Sequence, residues 1–382
     1  MKSNTRRILA LAVVCEGCLV GALSTQAASQ ESQEATAMMS NSAAEQQAAA
    51  VAQGKDAAWK PSCKEVSVIQ VADPRDPTAL RNFCLDHDGN LLVCFGATGE
   101  TSDPKKASGL RVYSPKGELL KSMPLPIKPD AVCVASDGSI FAAGEGRLLK
   151  LDATGKVLAS ADSPVAHLKV MINKETEEMV KEMARQTRRP FEEELANMKT
   201  NLESRRSNVT GLAATDQDVF MAVPAPDDFS YRVYRFNHAL AEPKLVVEKL
   251  HGCCGQMDIQ SHDGKLWIPH NARHVVESRD RDGKELSKFG KAGRVKASDF
   301  GGCCEPKNLR MLQDGDILAA ESGPPTCIKR FSADGKFKEV IAVVNDSKGD
   351  CVRVTVERSP DGRRYYMLDT TRGAIHVFAT RT

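Results

Sequence analysis

Five Asp-Gly pairs, each between two short apolar segments, restrict the fold of this 382-residue chain more than any other feature. The pairs lie at 88–89, 137–138, 263–264, 314–315 and 361–362. Asp-Gly between apolar segments is a strong signal for a tight β-hairpin. The Asp residues of consecutive turns are 49 residues apart from 88 to 137, 51 residues apart from 263 to 314, and 47 residues apart from 314 to 361. This period is typical of a propeller blade and not of a solenoid repeat.

A degenerate sixth hairpin completes the repeat. Asp216-Gln217-Asp218 stands between the apolar segments 212–214 and 219–221. Each hairpin is followed by a third strand-like segment, so six copies of three to four strands predict an all-β, six-bladed β-propeller over residues 63–382. Residues 65–71 are expected to add a strand to the last blade, which would close the ring and remove its open edge.

Residues 165–206 interrupt the repeat and predict an inserted α-helical hairpin. Apolar side chains recur there at helical spacing on both sides of Pro190: Leu168, Ile172, Met179 and Met183, then Phe191, Leu195, Met198 and Leu202. Two interpretations stay open, a cap over a blade or a surface for a partner or lid.

The N-terminus predicts export. Lys2, Arg6 and Arg7 precede an apolar stretch over residues 8–23, and a small-residue cleavage site follows at 25–27. This order is typical of a signal peptide covering residues 1–27, although an uncleaved anchor helix is the alternative. The twin arginines leave Sec and twin-arginine export both open. Residues 28–62, rich in Ala, Ser and Gln, are expected to form a flexible tether.

The charge balance excludes a basic nucleic-acid carrier. Residues 1–27 hold three basic residues and one acidic residue, so removing them leaves 49 Lys+Arg and 49 Asp+Glu. No membrane span is expected after signal removal, and the mature chain is expected to be a monomer in the periplasm, at the cell surface or outside the cell. Its partner would be a protein, a glycan or a small ligand.

Two adjacent cysteine pairs are the sharpest functional feature among the twelve cysteines. Cys253-Cys254 and Cys303-Cys304 enter the first strands of consecutive blades, and Cys351 lies near the same place in the next blade. Because first strands line a propeller channel, these five thiols are expected near one mouth. Disulfides, including vicinal ones, a ligand-contacting or redox role, and a soft-metal site for copper or zinc all remain open.

A second group of polar residues recurs at the ends of the second strands. His270, Glu321 and Asp369 follow their Asp-Gly turns at matched distances, and Asp258 and Asn308 are matched on first strands, with Asn82 in blade one. His270, Glu321 and Asp369 are candidate catalytic residues, and Asp258, Asn308 and Glu321 are candidate ligands for a divalent cation such as Ca²⁺ or Zn²⁺. The alternative is that these side chains only stabilise turns.

The last repeat, residues 365–378, resembles the NHL repeat, in which a strand ends in Asp before a polar turn and an Ile-x-x-Phe strand; in this chain these are Asp369, Ile375 and Phe378. The segments 252–256 and 302–306, which contain the cysteine pairs, are similar to motifs of secreted NHL-type propellers of planctomycete-like bacteria. The resemblance covers residues 65–382 and implies the propeller fold and an Asp369 that bonds its own turn.

These observations lead to two functional hypotheses. The first is an exported binding module whose channel mouth is framed by the two cysteine pairs. The alternative is a metal-dependent hydrolase or lyase, because carboxylates and an imidazole around one channel would look like the metal site of six-bladed lactonases or amidating lyases.

Overall fold

The computed structural model describes residues 59–97, 107–252, 255–323, 325–344 and 352–380. These residues form six four-stranded antiparallel sheets and two α-helices. The sheets follow one another along the chain, and the first strands of neighbouring blades contact each other around a central channel. The predicted six-bladed β-propeller with an inserted helical hairpin is therefore confirmed.

In blades one to three the strands lie in chain order from the channel outward. Blade one contains β2 (Leu80–Leu85), β3 (Leu91–Phe95), β4 (Gly109–Tyr113) and β5 (Leu119–Pro124). Blade two contains β6 (Ala131–Val134), β7 (Ile140–Gly144), β8 (Arg147–Leu151) and β9 (Val157–Asp162). Blade three contains β10 (Gly211–Ala214), β11 (Asp218–Pro224), β12 (Ser230–Asn237) and β13 (Lys244–His251).

The remaining blades follow the same order. Blade four contains β14 (Gln260–His262), β15 (Lys265–His270), β16 (Val275–Arg279) and β17 (Glu285–Phe289). Blade five contains β18 (Asn308–Met311), β19 (Ile317–Glu321), β20 (Thr326–Phe331) and β21 (Phe337–Val344). Blade six contains β22 (Val356–Arg358), β23 (Arg364–Asp369), β24 (Ala374–Thr380) and, outermost, β1 (Cys63–Gln70).

The ring is closed by β1, which precedes all other strands in the chain order. It pairs antiparallel with β24, from Cys63 opposite Thr380 to Gln70 opposite Ala374. The predicted closing strand is confirmed, and pairing the two ends of the propeller in one sheet protects the edge of β24.

The Asp-Gly turns have the geometry that their glycines permit. Gly89 and Gly315 both have φ of +80°, which an L-residue with a β-carbon rarely adopts. The Gly89 amide donates to the Asp86 carbonyl at 3.1 Å, and the Gly315 amide donates to the Leu312 carbonyl at 2.9 Å. The repeated turns thus set the hairpin registers of the blades.

The hydrophobic core is divided among the interfaces between neighbouring blades. One buried cluster joins Leu80 and Phe83 of blade one to Tyr366 and Val377 of blade six, and each of the other five interfaces has its own cluster. Every blade therefore buries one sheet face against each neighbour, so no blade has a core of its own.

The insertion forms two helices, α1 (Lys174–Thr187) and α2 (Phe191–Arg205), on either side of Pro190. The Asn173 side chain caps α1 by accepting from the Thr176 amide at 2.8 Å. A small core of three buried apolar side chains from the two helices packs against Phe229 of blade three. The Arg205 guanidinium lies 5.1 Å from the Phe229 ring centroid. The hairpin therefore rests on blade three, as the capping interpretation requires.

The two faces of the propeller carry different connections. One face, which we name the cysteine face, contains the starts of the first strands, the ends of the second strands and the helical hairpin. The opposite face, which we name the turn face, contains the Asp-Gly turns and the connections from third to fourth strands. Within the described ranges, no helix combines the length and apolarity needed to cross a lipid bilayer.

Candidate functional site

The residues that sequence analysis singled out lie on the cysteine face, because they precede first strands or end second strands. Cys303 and Cys304 lie just before β18, and Glu321 ends the neighbouring strand β19. Cys253, Cys254 and Cys351 lie outside the described residues. The convergence of all five thiols therefore stays a prediction.

Cys303 and Cys304 are close but not bonded to each other. Their Sγ atoms are 3.1 Å apart, whereas a disulfide bond is about 2.05 Å long. Among the described cysteines, which are Cys63, Cys84, Cys94, Cys133, Cys303, Cys304 and Cys327, there is no disulfide. The predicted disulfides are thus absent from this part of the chain.

A lysine lies beside the second thiol of this pair. The Lys307 Nζ atom donates to the Cys304 Sγ atom at 2.8 Å, and both residues are completely buried. Cys303, the neighbouring residue, is half-buried. An ammonium group this close stabilises the thiolate form of a cysteine.

Glu305 lies between these two residues in the chain and is also buried. Its Oε1 atom accepts from the Ser322 amide at 2.9 Å, the Ser322 hydroxyl at 2.8 Å and the Gly323 amide at 2.8 Å. Its Oε2 atom is buried without a hydrogen-bond partner. Burial raises the pKa of Glu305 well above its usual value, the charge of Lys307 opposes this, and the charges of Glu321 and Cys304 add to it.

Glu321 belongs to the same cluster through a second buried lysine. It forms an ion pair with Lys329, and its Oε2 atom accepts from the Gly301 amide at 2.8 Å. The Lys329 Nζ atom also donates to the Asp299 carbonyl at 2.7 Å and lies 4.8 Å from the Trp59 ring centroid. We name Cys303, Cys304, Glu305, Lys307, Glu321 and Lys329 the mouth cluster.

His270 is held in a different network. Its Nε2 atom accepts from the His251 amide at 2.8 Å, so its Nδ1 atom carries the proton and donates to Glu277 Oε1 at 2.7 Å. Burial opposes ionisation of Glu277, but hydrogen bonds from His270 and Arg279 lower the pKa of Glu277 to about 2. Both ring nitrogens of this buried imidazole are thereby engaged.

Asp369 is held in a third network in blade six. It accepts from the Thr371 amide at 2.9 Å and the Arg372 amide at 3.1 Å, as a turn-forming Asp would. Its Oδ2 atom also lies 3.2 Å from His376 Nε2, and His376 Nδ1 lies 2.7 Å from Glu65 Oε2. Burial opposes ionisation of Asp369, but the bonds from His376 and Thr371 lower its pKa to about 2.

The three candidate catalytic residues are therefore matched in position but not gathered into one centre. Each forms a polar pair with the third strand of its own blade: His270 with Glu277, Glu321 with Lys329, and Asp369 with His376. Across the described ranges, no three His, Cys, Asp or Glu side chains are arranged to hold a metal ion.

Of the candidate metal ligands, the structure brings two together in the channel. The Asn308 side-chain amide donates to Asp258 Oδ2 at 2.7 Å, the Leu309 backbone amide donates to the same oxygen at 3.1 Å, and Asn308 Oδ1 accepts from the Val356 amide at 2.8 Å. Glu321, the third candidate, lies in the mouth cluster. Burial raises the pKa of Asp258 to about 6.

Asn82 continues the same ring of first-strand residues. Its Oδ1 atom accepts from the Thr355 hydroxyl at 2.8 Å, and its Nδ2 atom donates to the Asp130 carbonyl at 3.2 Å. The matched first-strand positions therefore hydrogen-bond the blades to one another across the channel.

One layer closer to the turn face, the channel holds a charged group that sequence analysis missed. Arg310 donates to Gln260 at 2.7 Å and pairs with Glu357, and burial raises the pKa of Glu357 to about 7. Cys84 and Cys133 occupy the same register in blades one and two. The signal was present, since Arg310, Glu357 and both cysteines stand four residues before the Asp of an Asp-Gly turn.

Three residues of the mouth cluster were also not predicted from the sequence: Glu305, Lys307 and Lys329. Their role depends on contacts between the segment before β18 and the two strands that follow it, which no local pattern reveals. The two lysines lie close to cysteines and carboxylates in the sequence, and this closeness was a weak signal for the cluster.

Comparison with known proteins shows similarity at the level of fold. No protein-family model and no curated protein matches the chain. A Bacteroides thetaiotaomicron protein of unknown function is similar in structure, with a TM-score of 0.52, 10% identity, and coverage of 85% of this chain and 74% of that chain.

Two enzymes of known activity give lower scores. A Staphylococcus aureus virginiamycin B lyase has a TM-score of 0.48 and 12% identity, covering 82% of this chain and 99% of its own. A Xanthomonas campestris gluconolactonase has a TM-score of 0.48 and 10% identity, covering 83% and 99%. The six-bladed β-propeller is established by the strand order of the described residues, and structural similarity at such identities leaves the activity of this chain open.

Proposed function

We propose that this protein is a binding module that recognises a protein, glycan or small ligand at its cysteine face. The observation that carries the proposal is the mouth cluster. It holds two lysines, two carboxylates and a pair of thiols beneath one face, with one buried oxygen of Glu305 lacking a hydrogen-bond partner. Buried charges are costly, so their concentration beneath one surface favours a functional role for that surface.

The connections on this face support the same assignment. The connections on the cysteine face differ from blade to blade, and they include the helical hairpin and the long connection between β17 and β18. The turn face, by contrast, repeats short turns. Val295, within that long connection, exposes 79% of its surface. The helical hairpin on blade three extends the same face and would contribute to a partner surface.

The proposal places the protein outside the cytoplasm, because residues 1–27 have the order of charge, apolar stretch and small residues that directs export. The NHL resemblance is compatible with a secreted interaction domain. Sequencing the N-terminus of the protein from the cell envelope or medium tests this point: a start near residue 28 supports it, and an intact residue 1 in the cytoplasm contradicts it.

Site-specific photo-crosslinking tests the binding surface. A benzophenone amino acid replaces Val295 on the cysteine face or, as the matched control, Leu158, which exposes 54% of its surface beside the turn on the opposite face. Irradiation of producing cells is expected to yield adducts from position 295 and none from position 158. The mass of the adduct distinguishes a protein, a glycan and a small ligand. Adducts only from position 158 would exclude the cysteine face.

The metal-dependent hydrolase or lyase stays the competing prediction. Elemental analysis of protein purified without chelator separates the two, because such an enzyme would retain about one metal ion per chain. Substitution of a candidate metal ligand, which is Asp258, Asn308 or Glu321, would then release the metal.

A further inference from the structure

The contact between Cys304 and Lys307 suggests a chemistry beyond ligand binding. Their Sγ and Nζ atoms are 2.8 Å apart, which is closer than the 3.1 Å between the sulfurs of Cys303 and Cys304. Both residues are completely buried, so packing restrains their side chains. A nucleophile and its target held in this way react far faster than free groups.

We propose that Cys304 and Lys307 form a covalent sulfur–nitrogen link when the protein meets hydrogen peroxide. This modification site is independent of the proposed binding function, because it requires only the two side chains and the oxidant.

The first step oxidises the thiol. The Cys304 thiolate, stabilised by the Lys307 ammonium, attacks one oxygen of peroxide, so an S–O bond forms and the O–O bond breaks. Sulfur loses two electrons, peroxide is reduced, and the second oxygen leaves as water after taking up a proton. The product is the Cys304 sulfenic acid.

The second step is a condensation without further oxidation. The Lys307 ammonium first loses one proton, because only the free amine has a lone pair. The amine nitrogen then attacks the sulfur, the S–N bond forms and the S–O bond breaks, and the departing hydroxyl leaves as water with a second proton from the nitrogen. Sulfenic acids undergo this reaction with nitrogen nucleophiles. The Glu305 carboxylate is a suitable acceptor for the first of these protons, because its Oε2 atom is buried without a hydrogen-bond partner.

The Glu305 environment makes it a stronger base than an exposed carboxylate. Burial raises the pKa of Glu305 well above its usual value, with Lys307 acting in the opposite direction. Once the amine becomes part of a neutral link, that opposing charge disappears. Glu305 is thus the proton acceptor for the link.

Peptide mapping of the full-length protein tests the link directly. The native protein is treated with a small excess of hydrogen peroxide, unfolded without reductant, alkylated with N-ethylmaleimide and digested with trypsin. A link on the Lys307 nitrogen blocks cleavage after Lys307, so we expect a peptide spanning residues 297–310 in which Cys303 alone is alkylated. The link removes two hydrogens, so this peptide is lighter by about 2 Da than the same peptide with a free Cys304 thiol. Dithiothreitol before alkylation is expected to restore cleavage at Lys307.

Competing oxidation products give different peptides. A disulfide between Cys303 and Cys304 leaves neither thiol alkylated and allows cleavage after Lys307. A disulfide from Cys304 to any other cysteine joins two peptides, and a sulfinic acid adds about 32 Da. Any of these as the main product, with Lys307 still cleaved, overturns the proposal.

Two variants make the result independent of a folding failure. Cys303→Ser removes the neighbouring thiol and leaves the reacting pair intact, so the blocked peptide is still expected from it. Lys307→Arg keeps the positive charge but should yield no link, so Cys304 should be recovered as the disulfide with Cys303 or as the sulfinic acid. If Lys307→Arg does not fold, Cys303→Ser decides alone: cleavage after Lys307 in oxidised Cys303→Ser protein contradicts the link.

Discussion

At the scale of single residues, the chemistry of each charged side chain in this propeller depends on the partner that it contacts on a neighbouring strand. His376 illustrates this, since burial alone would lower its pKa, but hydrogen bonds to Asp369 and Glu65 raise it. His270 ends the second strand of blade four, as Asp369 does in blade six, and one of its nitrogens accepts from a backbone amide. The two imidazoles thus lie on different strands of their blades and have different hydrogen-bond partners.

The His376 interaction predicts a pH-dependent stability. Because its pKa is raised in the folded state, His376 contributes stability that is complete below its unfolded pKa of about 6.5 and is lost as pH rises through the folded value. His376→Asn should therefore lower the free energy of unfolding much more at pH 5.5 than at pH 9, as measured by urea unfolding.

An exposed histidine provides the control for this prediction. The His167 side chain is 81% exposed and lies 3.3 Å from Asp162, so its ion pair is screened by solvent. His167→Asn should change stability little at either pH. Equal losses for His376→Asn at both pH values would show that the imidazole does not act as a cation.

At the scale of elements, each blade depends on its neighbours, and the closing strand β1 makes the last blade depend on residues from the opposite end of the propeller sequence. Its side chains alternate imperfectly, with Cys63 and Ile69 buried and Val66 and Val68 exposed. Ile69 packs in the cluster between blades one and six, beside Gly117 of blade one. The strand therefore contributes core as well as backbone pairing.

Truncation of Ile69 measures what the closing strand contributes. Ile69→Ala removes buried surface and leaves a cavity, so we expect a loss of about 2–5 kcal/mol in the free energy of unfolding. Val68→Ala, in the same strand but 46% exposed, should change it by less than about 0.5 kcal/mol. Chemical denaturation of both variants makes the comparison; equal small losses would mean that β1 adds little to the ring.

At the scale of the whole molecule, the channel is lined by polar side chains that form hydrogen bonds between neighbouring blades. Asp258 and Asn308 join blades four, five and six, while Arg310 connects Gln260 of blade four with Glu357 of blade six. These contacts join neighbouring blades through their first strands. Their cost is the burial of ionisable groups.

The burial of these ionisable groups predicts how the stability of the whole propeller depends on pH. Burial raises the pKa of Glu357 to about 7, so the folded state binds its proton more tightly than the unfolded state, and stability falls as pH rises from about 4.5 to 7. Glu357→Gln removes this titration. The stability of Glu357→Gln relative to the unsubstituted protein should therefore rise across that interval, as measured by urea unfolding.

Asp334→Asn is the matched control for this titration. Hydrogen bonds from Lys336 and Ser332 lower the pKa of Asp334 to about 2, so it does not titrate between pH 4.5 and 7. Its effect on stability should be constant across that interval. A constant difference for Glu357→Gln as well would mean that Glu357 stays ionised throughout.

Residue patterns alone were sufficient to predict the Asp-Gly hairpins, the sixfold repeat, the closing strand and the helical hairpin around Pro190. Each follows from turn chemistry or from side-chain periodicity over a few residues. The matched repeat positions Asp258 and Asn308 are in contact, and their role as metal ligands stays a prediction. What the charged groups do was visible only after folding, because their partners come from other strands. Folding pairs His270 with Glu277 and Glu321 with Lys329, and it buries Lys307 against Cys304. The energy of a buried charge depends on its surroundings in space, which no local pattern of residues specifies.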